Sequence, residues 1–205
     1  AANPTWIVIA CEELRIFNKY EQVTERILEL AEDLPSLLEQ MITRLENDHG
    51  PAFVRQTLSI LVCSRDGLYE KEVVGILGVT LSAWSRLYYS IKPLLSSSSK
   101  MGNGLISFSH RNFTLAILKR YFSDGEKSFE QLMREQEERQ LEQTSSFAIP
   151  IHARLALYFK STCYDRKTES WNADNGRRLS CLSYHLLHGK MYRMLEATLT
   201  DIQFI

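Results

Sequence analysis

The sequence lacks the signatures of the common catalytic sites. Its 205 residues contain no glycine-rich phosphate loop, no Gly-x-Ser-x-Gly elbow and no His-Glu-x-x-His pair. Each of these motifs supplies a phosphate cradle, a nucleophile or a metal site at a fixed spacing. We therefore expect no enzyme to be complete within this chain, and we assign no catalytic residue.

Long apolar runs and an excess of charge of one sign are also missing. No run approaches the roughly 20 apolar residues that a membrane helix needs, and no signal peptide opens the chain. The formal net charge is -1, whereas a general nucleic-acid binder usually has a basic balance. We expect a cytoplasmic protein without membrane contact, and the opening Ala-Ala-Asn-Pro indicates a cut through a longer protein.

Cysteine is scarce and forms no Cys-x-x-Cys pair. Cys11, Cys63, Cys163 and Cys181 lie within apolar helical patterns, which is typical of buried thiols in a reducing compartment. His185 and His188, with His152, could share a metal, but no cysteine or carboxylate stands at ligand spacing around them and single histidines on helix surfaces are common. We assign no metal.

Two pairs of adjacent carboxylates, Glu12-Glu13 and Glu137-Glu138, do not indicate an acid/base site. Neighbouring residues on a helix point to different sides, so the two carboxylates of a pair cannot meet. We expect solvated charges.

Helical periodicity is what the sequence does contain, most clearly over residues 53–121. One helical pattern follows Gly50-Pro51, a second ends at Gly78, and a third starts at Thr80, which predicts two short helices joined as a helix-turn-helix. Strands are predicted at 93–95 and 105–108, flanking a Ser- and Gly-rich wing at 96–104. This order predicts a winged helix. Its next helix opens at His110 and buries Phe113, Ile117, Leu118 and Tyr121.

Helical patterns also flank the predicted winged helix. The first helix begins with Asn3 as cap and Pro4, a second covers 21–31 and a third starts at Pro35. Their predicted inward side chains are Ile7, Ala10, Leu14 and Phe17, then Val23, Ile27 and Leu30, then Leu34, Leu37, Leu38, Met41, Ile42 and Leu45.

Beyond residue 148 we expect a packed helix, a polar loop at 165–175, and two helices joined at Gly189 with an unfinished apolar face. The sequence therefore predicts a mainly α fold: a helical subdomain at 1–49, a winged-helix domain at 50–123, a charged helical insert or linker at 124–148, and a helical region at 149–205 that leads into repeats.

The third helix of the predicted winged helix is poor in groups that contact DNA. Arg86 is its one cation, with Lys92 and Lys100 nearby. With so few cations the gain from counterion release is small. Its aromatic residues, Trp84, Tyr88 and Tyr89, suggest packing against another domain.

Two interpretations of His110 stay open on the sequence. It is either a helix N-cap that fills a groove, or an imidazole that faces a phosphate at the start of a helix, where backbone N–H groups and the helix dipole also favour an anion.

Four short stretches, in order along nearly the whole chain, carry a resemblance to a known family: residues 3–15 (Asn-Pro, then Cys-Glu-Glu-Leu-Arg), 34–38 (Leu-Pro-x-Leu-Leu), 108–113 (Phe-Ser-His-Arg-x-Phe) and 182–187 (Leu-x-Tyr-His-Leu-Leu). In these stretches the chain resembles the segment that follows the nucleotide-binding core of NACHT-type STAND NTPases. This family of regulated ATPases includes animal signalling and scaffold proteins that end in WD or tetratricopeptide repeats.

The resemblance implies a lid that folds over ADP bound mainly by an upstream P-loop core and that is released when ATP replaces ADP. Pro4 matches the family's proline on the adenine side, and His110 matches the histidine that reaches the β-phosphate. Many members have an aspartate after this histidine, whereas Arg111 stands here and can itself pair with phosphate. Downstream repeats, protein partners or a homo-oligomer are the implied partners.

An alternative from another class remains: a winged-helix module that binds protein or RNA without sensing a nucleotide.

Overall fold

The computed structural model describes residues 4–16, 22–97, 104–123, 146–165, 167–171, 176–201 and 204. In these ranges the chain is mainly helical with two short antiparallel strand pairs, which confirms the predicted fold class. Its helices and strands are α1 (Pro4–Ile16), α2 (Val23–Glu29), α3 (Leu34–His49), α4 (Pro51–Cys63), α5 (Glu70–Leu77), α6 (Leu81–Ile91), a 3-10 helix (Lys92–Leu94), β1 (Leu95–Ser97), β2 (Ile106–Phe108), α7 (Arg111–Phe122), α8 (Ile149–Cys163), β3 (Tyr164–Asp165), β4 (Ser170–Trp171), α9 (Gly176–His188) and α10 (Tyr192–Leu199).

Helices α4 to α6 form where the sequence predicts them. Gly78 ends α5 in the left-handed conformation with φ of 67°, which glycine adopts without steric cost. The hydroxyl of Thr80 accepts a hydrogen bond from the backbone N–H of Ala83 at 3.2 Å and so caps α6. Between α4 and α5, Leu68 makes an isolated antiparallel bridge to Ile106. This bridge joins the helices to the following hairpin.

The first strand of the hairpin begins later than predicted. Residues 93–94 belong to the 3-10 helix, because the fixed φ of Pro93 suits a helical turn and the residue has no N–H to give to a ladder. Strand β1 starts at Leu95 and pairs antiparallel with β2. The predicted wing is therefore shorter at its start, and its residues 98–103 lie outside the described part of the chain.

Helix α1 turns inward only part of the face that was predicted. Ala10 is buried and Leu14 packs against the core, as predicted, but Ile7 is 46% exposed, and Ile9 and Glu13 are buried in addition. Polar contacts fix this orientation: the indole N–H of Trp6 donates to the carbonyl of Ala31 at 2.9 Å, and Glu13 pairs with an arginine of α3. Asn3 and Phe17, also predicted for this helix, lie outside the described residues.

Helix α2 is shorter and less buried than predicted. It has seven residues, none of them buried, and Ile27 is 48% exposed, so the predicted inward face is wrong. Leu30 is buried just beyond the end of α2. The helix has too few residues to lay a complete apolar face on its neighbours.

Helix α3 is the best predicted element of the first region. All six apolar side chains predicted for it are buried, and each contributes about 1.5–3 kcal/mol through burial. Asp33 caps the helix, since its carboxylate accepts a hydrogen bond from the backbone N–H of Ser36 at 2.9 Å.

The carboxyl-terminal region forms the predicted helices and one unpredicted hairpin. Helices α9 and α10 meet around Gly189, as predicted, and Leu187 and Leu199 stay exposed on them. Part of the predicted polar loop instead forms the pair β3–β4, where Tyr164 stands opposite Trp171 and their ring centroids are 4.9 Å apart. This aromatic pair favours strand pairing across the short loop.

Buried apolar side chains run as one cluster from α1 to α9. Cys63, Cys163 and Cys181 are buried free thiols, as predicted, but Cys11 is exposed because it lies on the outer side of α1. The charged segment 124–145, with Glu137-Glu138, lies outside the described residues, and the domain boundaries stay predictions. None of the helices within the described ranges is long and apolar enough to span a bilayer.

Candidate functional site at His110

His110 stands immediately before α7, in the N-cap position that the sequence predicts. Its backbone is extended, with φ of -124° and ψ of 126°, and its carbonyl accepts the N–H of Phe113 at 3.1 Å. Its imidazole makes no capping hydrogen bond, and the residue is exposed. The side chain is therefore reachable by a group outside this chain.

Behind the imidazole, a narrow cleft separates α1 from the end of α6 and the 3-10 helix. It is lined by Val8, Ile9, Glu12, Glu13, Met41, Ser90, Pro93, Leu94 and His110. Its free volume is about 10 Å³, which holds a single water molecule at most. Helix α1 thus forms one wall of a cleft that is too small to hold a phosphate.

The two carboxylates beside this cleft are neutralised within the protein. Glu13 is only 5% exposed and accepts two hydrogen bonds from the guanidinium of Arg44, both at 2.8 Å. Glu12 pairs with Arg15 at 2.7 Å. The expectation of solvated charges is therefore wrong for Glu13, because a partner on α3 compensates its burial.

The other two predicted site residues are not among those that line the cleft. Pro4 is the exposed first residue of α1, one turn before Val8. Arg111 is the exposed first residue of α7, next to His110. His110 and Arg111 are thus neighbours at the start of α7, whereas Pro4 belongs to the first turn of α1.

The aromatic residues of α6 divide between core and surface. Trp84 is fully buried and its indole N–H donates to Glu70 at 3.0 Å. Trp84 therefore packs within this chain, and the expectation that it packs against another domain is wrong. Tyr89 is 67% exposed and Leu81 is 59% exposed. The Lys92 ammonium lies 5.9 Å from the centre of the Tyr89 ring. Only the outer face of α6 is open to a partner.

Three histidines that the sequence treats as separate surface residues come together. His185 and His152 are 0% and 1% exposed, and their Nδ1 atoms lie 2.9 Å apart, so one imidazole donates a hydrogen bond to the other. Burial lowers the pKa of His152 to about 4 and that of His185 to about 3. The His188 ring centre is 5.3 Å from that of His152. Within the described ranges, no three histidine, cysteine or carboxylate groups are arranged to hold a metal ion.

Two ion-pair clusters fix the predicted winged helix to its neighbours. On one side, the Arg120 guanidinium of α7 bonds to Glu39 at 2.7 Å and to Glu46, both on α3. On the other side, the fully buried carboxylate of Glu72 on α5 accepts hydrogen bonds from two arginines of α9, Arg177 at 2.6 Å and Arg178 at 3.2 Å. Sequence periodicity gives no signal for either cluster.

A larger open groove lies elsewhere, between the end of α8, the β3–β4 hairpin and α10. It has a volume of about 790 Å³, and Lys160, Tyr164, Trp171 and Met194 are among its lining residues. It contains none of the predicted site residues, so it does not bear on the His110 site.

Distant relatives match along nearly the whole chain. Telomerase protein component 1 of Mus musculus is 27% identical over 217 residues, which cover 98% of this chain and 8% of that protein. NACHT domain- and WD repeat-containing protein 1 of Homo sapiens is 26% identical over 232 residues, covering 99% of this chain and 14% of that protein. A TPR repeat-containing protein of Dictyostelium discoideum is 23% identical over 210 residues, covering 98% of this chain and 10% of that protein.

The chain thus spans between 8% and 14% of the length of these relatives. No family model matches the sequence. No solved structure matches it either.

Proposed function

We propose that this chain is the regulatory lid of a NACHT-type STAND NTPase. In this proposal it closes over ADP bound by a P-loop core of the same protein, and exchange of ADP for ATP releases it and exposes surfaces for assembly. The distant similarity to repeat-containing proteins suggests a protein-interaction role. The NACHT domain in the name of one relative supports the more specific function.

The observation that carries the proposal is the unused imidazole of His110. It is exposed at the start of the 12-residue helix α7, and it makes no capping hydrogen bond. The first N–H groups of a helix and its dipole favour an anion at this position. His110 would donate to a β-phosphate oxygen of ADP, Arg111 would offer a second cationic contact, and Pro4 would lie on the adenine side.

The pairing of Glu13 and Glu12 with arginines supports the same assignment. An unpaired carboxylate next to His110 would repel a phosphate, and both carboxylates beside the cleft are compensated. A charge-assisted hydrogen bond from the imidazole to phosphate contributes about 1.5–3 kcal/mol. That contribution is present only while the lid is closed, so it favours the ADP-bound state.

The proposal is tested by the nucleotide content of the parent protein, which includes the P-loop core. The native protein and its His110→Ala variant are denatured after purification and the released nucleotides are separated by chromatography. We expect ADP in the native protein, and ADP that is lost or released about 10- to 100-fold faster in the variant. Lys92→Ala is the control, because Lys92 is exposed beside the cleft without lining it.

A second candidate function is favoured by the outer face of α6, where Leu81 and Tyr89 are exposed beside Arg86 and Lys92. This face suits a protein- or RNA-binding module that works without a nucleotide. The same experiment separates the two functions. If neither the native protein nor the variant contained bound nucleotide, the lid function would be overturned and the protein- or RNA-binding function would be favoured.

A further inference from the structure

The first turns of α9 are bound to α5 and to the segment that connects α4 with α5. Arg65 donates through one Nη1 to the hydroxyl of Ser180 at 2.5 Å and to its carbonyl at 3.2 Å. Arg177 and Arg178 both donate to Glu72, which is fully buried. Hydrogen bonds of three arginines, one outside α9 and two within it, thus hold the beginning of α9 in place.

The sequence Arg177-Arg178-Leu179-Ser180 also has a pattern that a protein kinase can recognise. It contains the one pair of adjacent arginines in the chain, and a serine follows two residues after the second arginine. A protein kinase with an acidic substrate groove can bind both guanidinium groups by paired hydrogen bonds and so position the serine hydroxyl. Ser180 is exposed on α9, so its hydroxyl lies at the surface.

We propose that Ser180 is a phosphorylation site for an arginine-directed protein kinase, and that Glu72 controls access to the site by holding both arginines. In the reaction the Ser180 Oγ attacks the γ-phosphorus of ATP, and the bond from that phosphorus to the β,γ-bridging oxygen breaks. ADP leaves, and the hydroxyl proton passes to the catalytic aspartate of the kinase. This inference does not depend on ADP binding by the lid.

Glu72 controls access because the kinase has to bind the same two arginine side chains that Glu72 already binds in the folded chain. Both arginine side chains are paired with Glu72, at 22% and 29% exposure, and the four residues of the motif are helical. The first turns of α9 therefore have to detach from α5 before the motif can enter a kinase cleft. After the helix docks again, Arg65 is within reach of a phosphate that replaces the hydroxyl hydrogen.

The test uses the full chain, ATP and the catalytic subunit of cyclic-AMP-dependent protein kinase as the probe, with sites located by mass spectrometry. We expect slow phosphorylation at Ser180, and at least about tenfold faster phosphorylation in Glu72→Gln, where the buried pair is broken. A synthetic peptide of residues 174–184 is the comparison that needs no folding, and it should react faster than the native chain. Ser180→Ala should lose the modification, and Ser183→Ala should keep it.

Absence of phosphate at Ser180 in both the chain and the peptide would overturn the site. Equal rates for the native chain, Glu72→Gln and the peptide would overturn the control by Glu72. The midpoint of thermal unfolding should rise on phosphorylation of the native chain and not of Arg65→Ala. The same rise in both would overturn the role of Arg65 as the phosphate partner.

Discussion

At the scale of single residues, the buried pair of His152 and His185 makes the stability of this chain depend on mild acid. Burial lowers the pKa of His185 to about 3 and that of His152 to about 4, against about 6.5 in an unfolded chain. At pH values between the folded and unfolded pKa values, the unfolded state binds more protons than the folded state. The free energy of unfolding is therefore greatest above pH 6.5 and falls as the pH is lowered toward 4. We expect the free energy of unfolding, measured in urea, to fall by about 2–4 kcal/mol from pH 7 to pH 5.

Two variants identify the source of this pH dependence. His185→Phe keeps an aromatic ring beside Phe159, whose ring is parallel to that of His185 within 5°, and removes one titrating group. Its stability should vary less with pH, whereas His110→Gln, at an exposed position, should vary as the native chain does. A native pH dependence in His185→Phe would exclude the pair as the cause. His188, Arg65 and Arg177 are the positive groups that also oppose protonation of His185.

Residues whose role is set by their immediate neighbours could be predicted from the sequence. Thr80 and Gly78 end or begin helices through bonds to residues within four positions, and both predictions are confirmed. The buried polar groups could not be predicted, because their partners are distant. Glu13 meets Arg44 across 31 positions, and Glu72 meets Arg177 across 105 positions. A side chain with such a partner has the same local pattern as a solvated one.

At the scale of helices, the close approach of α8 and α9 depends on Gly189. A Cβ atom at this position would lie 2.9 Å from the backbone nitrogen of Ala153 and 2.9 Å from the carbonyl oxygen of His185. Backbone atoms cannot move aside as a flexible side chain does. We expect Gly189→Ala to lower the free energy of unfolding by about 1–3 kcal/mol, measured by chemical denaturation.

Gly176→Ala is the matched control for this substitution. Gly176 begins helix α9, which ends just before Gly189, and a Cβ at Gly176 would have no neighbour within 4 Å. Its stability should stay within about 0.5 kcal/mol of the native value. If both variants unfold at the same denaturant concentration, the approach of α8 and α9 is not limited by Gly189.

Helices with a long apolar repeat were predictable, and short elements were less so. Helix α3 spans 16 residues and buries all six predicted side chains, since a long stripe has only one favourable orientation. Helix α2 has seven residues, and its orientation depends on neighbours that the sequence does not specify. At the His110 site, the N-cap position was predictable from the local pattern. The position of α1 along the cleft was not, because it involves the pairing of Glu13 with the distant Arg44.

At the scale of the whole molecule, the continuous buried cluster predicts unfolding in one step. The three tryptophans report on different regions: Trp6 in α1, Trp84 in α6 and Trp171 in β4. Three variants, each keeping one tryptophan and carrying phenylalanine at the other two positions, are unfolded in urea. Within each variant the fluorescence transition should coincide with the loss of helical circular dichroism, because the core joins the regions.

Comparison within one variant removes the effect of the substitutions on stability. If the fluorescence of Trp6 or Trp171 changes at a different urea concentration from the circular dichroism, the regions unfold separately. That result would support the predicted boundaries at 1–49, 50–123 and 149–205 as independent folding units.

Gly50 is at once the last capping residue of α3 and the first of α4, with φ of 91° and ψ of 132°. No linker separates the two helices, so a rotation of α3 must be taken up by very few backbone torsions. Helix α3 has 16 residues and is thus a lever of about 24 Å, and a turn of about ten degrees at Gly50 moves its far end by about 4 Å. Glu39 lies farther along this lever than Glu46, so its bond to Arg120 is stretched first when the lever swings away from α7.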